Sequence, residues 1–312
     1  MTSFKQLSIL IPAHNEMYHL PPTIASIREH MPEGVEYEIL VGDHDSTDMT
    51  VTNAERCGAT VITIPHYVTT AAGVRNYLAT AARHDWMLFL DADCELTEVW
   101  GITVGNTELE EDTAYSAAPI TPRDERKTGL YENWFQYLQD PIDMQKSYAR
   151  SCNLLVHRRL FNNAGRFAGN LATGEDVDLD KKLRNAGKVM ILPSLTVYHR
   201  GFPLTDGQFW RRELWHGTGD FLSWRTFIES KPATLGVMLN LMLLAAGVAM
   251  GLMQWGTVLW MLLSAATIVT GAALIRQPYR MGLIRRMNNV WLTGLYLNAR
   301  GLSFLWPERP QR

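Results

Sequence analysis

Residues 232–275 contain no charged side chain. Within them TLGVMLNLMLLAAGVAMGLMQW (234–255) and, after Gly256, TVLWMLLSAATIVTGAALI (257–275) are two apolar runs of about 20 residues, the length that crosses about 30 Å of hydrocarbon as a helix. No other stretch limits the fold so strongly. The runs predict a transmembrane helical hairpin turning at Gln254, Trp255 and Gly256; the alternative is a very apolar hairpin in a soluble core. Lys231 precedes the pair, and Arg276, Arg280, Arg285 and Arg286 follow it. An excess of Lys and Arg marks cytoplasmic flanks, so both ends of the hairpin are expected in the cytosol.

The flanks also explain a net charge of only −3. Seven arginines against Glu308 give 276–312 about +6, which leaves about −9 on residues 1–231. The tail PYRMGLIRRMNNVWLTGLYLNARGLSFLW sets these arginines among Trp291, Leu292, Leu295, Tyr296 and Leu302. It predicts a basic amphipathic helix at an anionic inner leaflet, with a third span interrupted by Arg300 as the alternative. The opening MTSFKQLSILIPAHNE has a short apolar run ended by Pro12, a strand pattern and not a signal peptide. Cys57, Cys94 and Cys152 are odd in number and far apart, which disfavours a disulfide framework and fits a reducing compartment. The expected domains are therefore 1–230, a two-helix hairpin over 231–276 and an interfacial tail over 277–312.

Before the hairpin, strand-like and helical patterns alternate. SILIPA (8–13), EILVGD (38–43), TVITIP (60–65) and WMLFLDAD (86–93) read as strands, while HLPPTIASIREHM and AAGVRNYLATAARH have helical periodicity. Such alternation predicts a mainly parallel sheet flanked by helices, with ligands beyond the carboxyl ends of the strands. Polar residues gather at those ends: His14, Asn15 and Glu16, then Asp43, His44 and Asp45, then Asp91 and Asp93. Asp91 and Asp93 have no cation nearby in sequence, and two such carboxylates repel unless a positive charge joins them. A divalent ion completed by a diphosphate would supply that charge. A solvated loop explains an isolated pair equally well.

The surrounding motifs decide between these readings. SILIPAHNE, EILVGDHDSTD, AAGVRN and FLDADCE, then SCNLLVHRRLFNNAGRF, GEDVDLDKKLRNAG and VYHRG, resemble in order the motifs of the inverting family 2 glycosyltransferases of the GT-A fold. The resemblance covers residues 6–201. It implies a mixed, mainly parallel GT-A sheet and transfer of a single sugar from a nucleotide-diphospho-sugar. It further implies that Pro12, Ala13, Asn15, Glu16 and Asp43 hold the base and ribose, with Arg75 and Asp91 beside the nucleotide. Asp93, with His199, is implied as ligand to a divalent cation, Mn²⁺ or Mg²⁺. Asp176 is the implied base that takes the acceptor proton, and Glu175 holds the acceptor or substitutes for it. Independently of any such role, Glu175, Asp176 and Asp178 suit a helix N-terminus.

One departure lies in the nucleotide loop, where Asp43-His44-Asp45 replaces D-D-G and leaves the base open, a UDP-sugar being favoured. Another is that Gln208-Phe209-Trp210-Arg211-Arg212 lacks the last residue of the Q-x-x-R-W motif of processive synthases, so single transfer is expected. Pocket shape for sugar and acceptor is assigned to residues 110–175. The expected partners are the donor and a lipid-linked or membrane acceptor, with no nucleic acid, at the inner (cytoplasmic) membrane and facing the cytosol. The rival readings are a sugar nucleotidyltransferase, for which residues 8–20 lack the glycines and cations of a triphosphate loop, and a degenerate nucleotide-binding scaffold at the membrane.

Overall fold

The computed structural model describes residues 5–117, 121–122, 148–201, 203, 205–276 and 283–306. Arg280, Arg309 and Arg312, most of the stretch 110–147 and the side chains of Arg276 and Arg285 lie outside the described residues. The chain divides into two compact units: residues 1–125 with 139–201, and residues 126–138 with 202–311.

In the first unit the expected alternation becomes a seven-stranded sheet. Strand β1 (Gln6–Ala13), helix α1 (Leu20–His30), β2 (Glu36–Asp43), α2 (Thr50–Arg56), β3 (Thr60–Thr63), α3 (Ala71–Ala81) and β4 (Trp86–Leu90) follow one another. The chain continues through β5 (Cys94–Leu96), α4 (Glu98–Asn106), β6 (Thr113–Ser116), β7 (Thr121–Pro122), β8 (Asn153–His157), α5 (Arg158–Asn163), α6 (Glu175–Ala186), β9 (Lys188–Ile191) and β10 (Val197–His199). The large sheet has the order β3-β2-β1-β4-β8-β6-β9, and β5, β10 and β7 form a second, three-stranded sheet. Strands β1 to β4 are parallel, whereas β8 runs antiparallel between β4 and β6.

Strand order positions the site. The chain steps outward from β1 through β2 to β3, then α3 carries it back to β4 on the other side of β1. At such a reversal the connections leave β1 and β4 in opposite directions, which opens a crevice beyond their carboxyl ends. His14 and Asn15 follow the end of β1, and Asp91 follows the end of β4.

Leu7, Ile9, Leu10 and Ile11 in β1 and Met87 to Leu90 in β4 are all buried, the continuous apolar pattern of strands covered on both faces. On one side the core holds Leu78, Phe89, Leu154, Phe161, Phe167 and Leu183. The rings of Phe89 and Phe161 are 5.1 Å apart, and those of Phe89 and Phe167 are 5.2 Å apart and edge-on. Truncating a buried ring of this kind to alanine costs about 3–5 kcal/mol.

Helix α3 is fixed at both ends. Thr70 caps it, its hydroxyl oxygen accepting from Gly73 N at 2.9 Å. At the other end the Arg158 guanidinium donates to the carbonyls of Ala79, Ala82 and His84 at 2.7–2.8 Å, satisfying groups that a helix terminus leaves open.

The second unit contains α7 (Asp206–Gly217), a 3₁₀ turn (Thr218–Phe221), α8 (Trp224–Glu229), α9 (Lys231–Gly251), α10 (Trp255–Arg276) and α11 (Leu283–Leu302). Helices α9 and α10 are long and apolar enough to cross a membrane. They meet earlier than the expected Gln254-Trp255-Gly256 link. Met253 adopts a left-handed φ of 58°, and Gln254 N donates to Ala249 O at 2.9 Å, closing α9 as a Schellman turn so that Trp255 and Gly256 already belong to α10. Helix α11 packs on α9 with almost no space between backbones: a Cβ on Gly236 would stand 2.2 Å from Leu297 O, and one on Gly301 2.2 Å from Gly236 C. Across this contact Asn298 Nδ2 donates to Asn240 Oδ1 at 2.6 Å and Asn240 Nδ2 to Asn298 O at 3.0 Å. Trp210 Nε1 of α7 donates to Asn298 Oδ1 at 2.7 Å.

Candidate active site

The turn between β4 and β5 carries Asp91 and Asp93 and is pinned through its backbone. Asp91 N donates to Cys152 O (3.3 Å), Cys94 N to Asp91 O (3.1 Å) and Arg200 N to Asp93 O (3.0 Å). The buried Thr23 hydroxyl donates to Ala92 O at 2.8 Å. Two carboxylates are thereby held on a rigid turn.

The cation that the neighbouring sequence does not offer Asp91 arrives from α3. Arg75 is buried; its Nη2 is 2.5 Å from Asp91 Oδ1 and its Nη1 is 3.2 Å from Glu175 Oε1. Its guanidinium carbon lies 5.6 Å from the Phe167 ring centre. Burial would lower the Arg75 pKa, but the charges of Asp91 and Glu175 outweigh it and raise it above its ordinary value. One guanidinium therefore joins the end of β4 to the first turn of α6.

That turn begins after Gly174, whose φ is 77°, and carries Glu175, Asp176 and Asp178 at the positive end of the helix dipole. Burial, followed by the charge of Glu175, pushes Asp176 up to about 6. Asp176 Oδ1 accepts from Val177 N at 2.9 Å. Beside it stands a pair that the sequence did not single out: Tyr148, which burial pushes up to about 12, and Arg150, whose guanidinium lies 4.9 Å from the Tyr148 ring centre. Asp180 Oδ1 ties this segment to α6 by accepting from Ala149 N at 2.9 Å.

Asp93 faces His199, whose Nε2 is 3.5 Å from Asp93 Oδ1. Gly201 N donates to the other ring nitrogen, Nδ1, at 3.2 Å. A Cβ on Gly201 would come within 2.1 Å of Asp93 Oδ2, so only glycine leaves this edge of the carboxylate open. Asp93, Cys94 and His199 each offer a ligand atom, all within 4.8 Å of one another. An oxygen and an imidazole nitrogen beside an opening fit a divalent cation. Mg²⁺ and Mn²⁺ take oxygen and nitrogen donors ahead of thiol sulfur, so Asp93 and His199 are the fitting pair for a hard ion.

Of the other expected residues, Pro12 and Ala13 lie level with Gly42 and Asp43 across β1 and β2. Asp43 is buried, and its Oδ1 has no hydrogen-bond partner among the described residues. Asn15 takes a left-handed φ of 58°; its N–H donates to Ser46 Oγ (3.0 Å) and its Oδ1 accepts from Thr47 N (2.8 Å). Glu16 turns to His19, 2.8 Å away, and this hydrogen bond raises the His19 pKa. Asp45 has a φ of 56° where D-D-G would place glycine, so the turn survives because aspartate tolerates the left-handed region. The structure thus gathers Arg75, Asp91, Glu175 and Asp176 on one side and Asp93 with His199 on the other, while Glu16 is engaged within its own turn.

The sequence profile of glycosyl transferase family 2 matches residues 8–169, more than half of the chain. The chain belongs to glycosyl transferase family 2. This family 2 chain is 25% identical over 201 residues to an uncharacterized glycosyltransferase of Rickettsia prowazekii, the match covering 63% of the chain and 61% of the relative. It is 23% identical over 190 residues to the glycosyltransferase AglE of Haloferax volcanii, covering 58% and 62%. It spans about three-fifths of the length of these relatives. Among solved structures, the mannosyltransferase PcManGT of Pyrobaculum calidifontis, in complex with GDP-Man and Mn²⁺, superposes with a TM-score of 0.57 at 18% identity, covering 97% of this chain and 88% of that one. GalNAc-T7 with UDP, GalNAc and Mn²⁺ gives 0.50 at 16% identity, covering 70% and 51%. The fold of this family 2 member is GT-A.

Proposed function

We propose that the protein is a membrane-associated inverting glycosyltransferase that moves one sugar from a nucleotide-diphospho-sugar to a lipid-linked or membrane-borne acceptor. The observation that carries this reading is the double contact of Arg75, which holds Asp91 and Glu175 to one guanidinium and so brings the donor-side turn and the first turn of α6 to one crevice. Pro12, Ala13, Asn15, Glu16 and Asp43 border the base and ribose. Asp43 Oδ1 is buried without a hydrogen-bond partner among the described residues and is an acceptor for a base N–H of uracil or guanine alike; a UDP-sugar is the favoured donor.

Asp93 and His199 would hold the divalent cation, Mn²⁺ or Mg²⁺. Bound there, it would supply positive charge against the charge that grows on the departing diphosphate. Asp176 takes the proton from the acceptor hydroxyl as its oxygen bonds to the anomeric carbon, opposite the breaking bond to phosphate, and the sugar inverts. A carboxylate with a pKa near 6 is ionised at neutral pH yet basic enough to accept that proton. Arg75 keeps Glu175 and Asp91 in place beside it.

Helices α9 and α10 supply the membrane hairpin of 231–276, with α11 within the interfacial segment 277–312, both flanks in the cytosol. That location, at the inner membrane, is what makes a lipid-linked acceptor the natural one.

The test uses the full chain in detergent with Mn²⁺ or Mg²⁺ and a panel of sugar nucleotides, reading hydrolysis, transfer and product mass. Asp93→Asn is expected to abolish metal-dependent donor binding, and Asp176→Asn to spare donor binding while removing transfer. No turnover of any donor would sink the reading, and donor binding without turnover would select a nucleotide-binding scaffold.

A further inference from the structure

The residue after Asp93 in FLDADCE is a cysteine, and the proposed reaction does not use it. Cys94 is buried, and its Sγ is 3.9 Å from Asp93 Oδ1. His199 Nε2 is 3.5 Å from the same oxygen, and the ligand atoms of the three residues lie within 4.8 Å of one another. Zinc bonds of about 2.0–2.3 Å place tetrahedral ligands about 3.3–3.7 Å apart. Two of the three edges are therefore near those of a tetrahedral face, and the third is no longer than 4.8 Å. Oxygen, nitrogen and sulfur together form a softer donor set than Mg²⁺ or Mn²⁺ prefers, and one suited to Zn²⁺ or Cd²⁺.

We propose that Asp93, Cys94 and His199 form a thiophilic metal site that captures Zn²⁺ or Cd²⁺ at the position of the donor's divalent cation. The inference rests on the reading of Asp93 and His199 as ligands of that cation. The ion bonds to Cys94 Sγ as the thiol proton leaves to solvent. It bonds to His199 Nε2 as the proton on that nitrogen passes through solvent to Nδ1, which then no longer accepts from Gly201 N. With Asp93 and His199 so occupied, the hard ion is displaced and the protein is inhibited by trace soft metal.

The full chain in detergent, without donor, is titrated with Cd²⁺ while the thiolate-to-cadmium charge-transfer absorption in the ultraviolet is followed. The wild type is expected to show the band at a single site per chain, and Cys57→Ser to keep it. Cys94→Ser and Cys94→Ala are expected to lose the band and to bind Cd²⁺ at least about tenfold more weakly. Cd²⁺ should raise the unfolding midpoint of the wild type and not that of the Cys94 variants, which also shows that those variants are folded. No band in the wild type, or a band of unchanged amplitude in folded Cys94→Ser, overturns the proposal. Mn²⁺ binding in the presence of a nucleoside diphosphate, followed by electron paramagnetic resonance, separates the two claims. Wild type without Mn²⁺ binding but with the Cd²⁺ band defeats the donor-cation reading alone, and Mn²⁺ binding without the band defeats the soft-metal site alone.

Discussion

Arg75, buried on α3, reaches Asp91 at the end of β4 with 2.5 Å between Nη2 and Oδ1. The same guanidinium holds Glu175 at 3.2 Å. Removing one partner of a buried ion pair leaves uncompensated charge and costs about 3–5 kcal/mol. Arg75→Met is therefore expected to lower stability by about 3 kcal/mol and to abolish transfer, because Asp91 and Glu175 then repel each other. Arg75→Lys keeps a charge but cannot fork to both carboxylates, so an intermediate midpoint in thermal unfolding is expected. A midpoint for Arg75→Met equal to wild type would remove the pair from the framework of the site.

Asp176 has a raised pKa in the folded protein, about 6. The native state therefore binds this proton more tightly than the unfolded chain does. Its ionisation detracts from stability as pH rises from the ordinary carboxylate range through about 6, with nothing further lost above that. The shift corresponds to up to about 3 kcal/mol. Asp176→Asn should be inactive yet more stable than wild type at pH 8, with little difference at pH 4. In wild type, transfer should rise through an acid limb near pH 6. A limb that persists unchanged in an active Asp176→Asn protein would assign it to another group.

Gly201→Ala places a methyl group where Asp93 Oδ2 now lies, since the added carbon would be 2.1 Å away. Mn²⁺ affinity measured with a nucleoside diphosphate is expected to fall by about tenfold or more, as when groups that orient metal ligands are disturbed. Unchanged affinity would mean that Asp93 does not bind the ion through this edge.

Gly301→Val drives a branched side chain into the backbone of α9 at Gly236. Small residues permit such close helix contacts, and overpacking them costs about 1–3 kcal/mol. The variant is expected to unfold at lower temperature in detergent and to expose α11 to protease, while isolated changes at Gly247 or Gly271, where nothing lies within 4 Å, have little effect.

Much of this architecture is legible in the chain. The first, second and fourth strands appear as apolar runs ending in polar residues, because parallel strands are buried on both faces while their ends meet solvent and ligand. The partner of Asp91 is not legible, since Arg75 is 16 residues away and contact arises only when α3 returns the chain across β1. Its link to Glu175 spans 100 residues. A short run such as NLLVH carries no mark of strand direction, so the antiparallel insertion of β8 follows from pairing alone. The hairpin turn at Met253 differs from the expected link because the Schellman bonds, and not a glycine, close α9 there. Cys94 escapes a search for paired cysteines because its companions are Asp93 and His199.

Arg158 clasps the end of α3 from the segment that follows β8. The proposed donor-side and acceptor-side stretches of this chain are consequently not interchangeable cassettes. A chimera that imports residues 148–170 from a relative to alter acceptor choice also replaces the clasp, and with it the anchorage of the helix that presents Arg75. Grafts that retain Arg158 are the ones in which a change of product reports on the acceptor pocket rather than on a displaced α3.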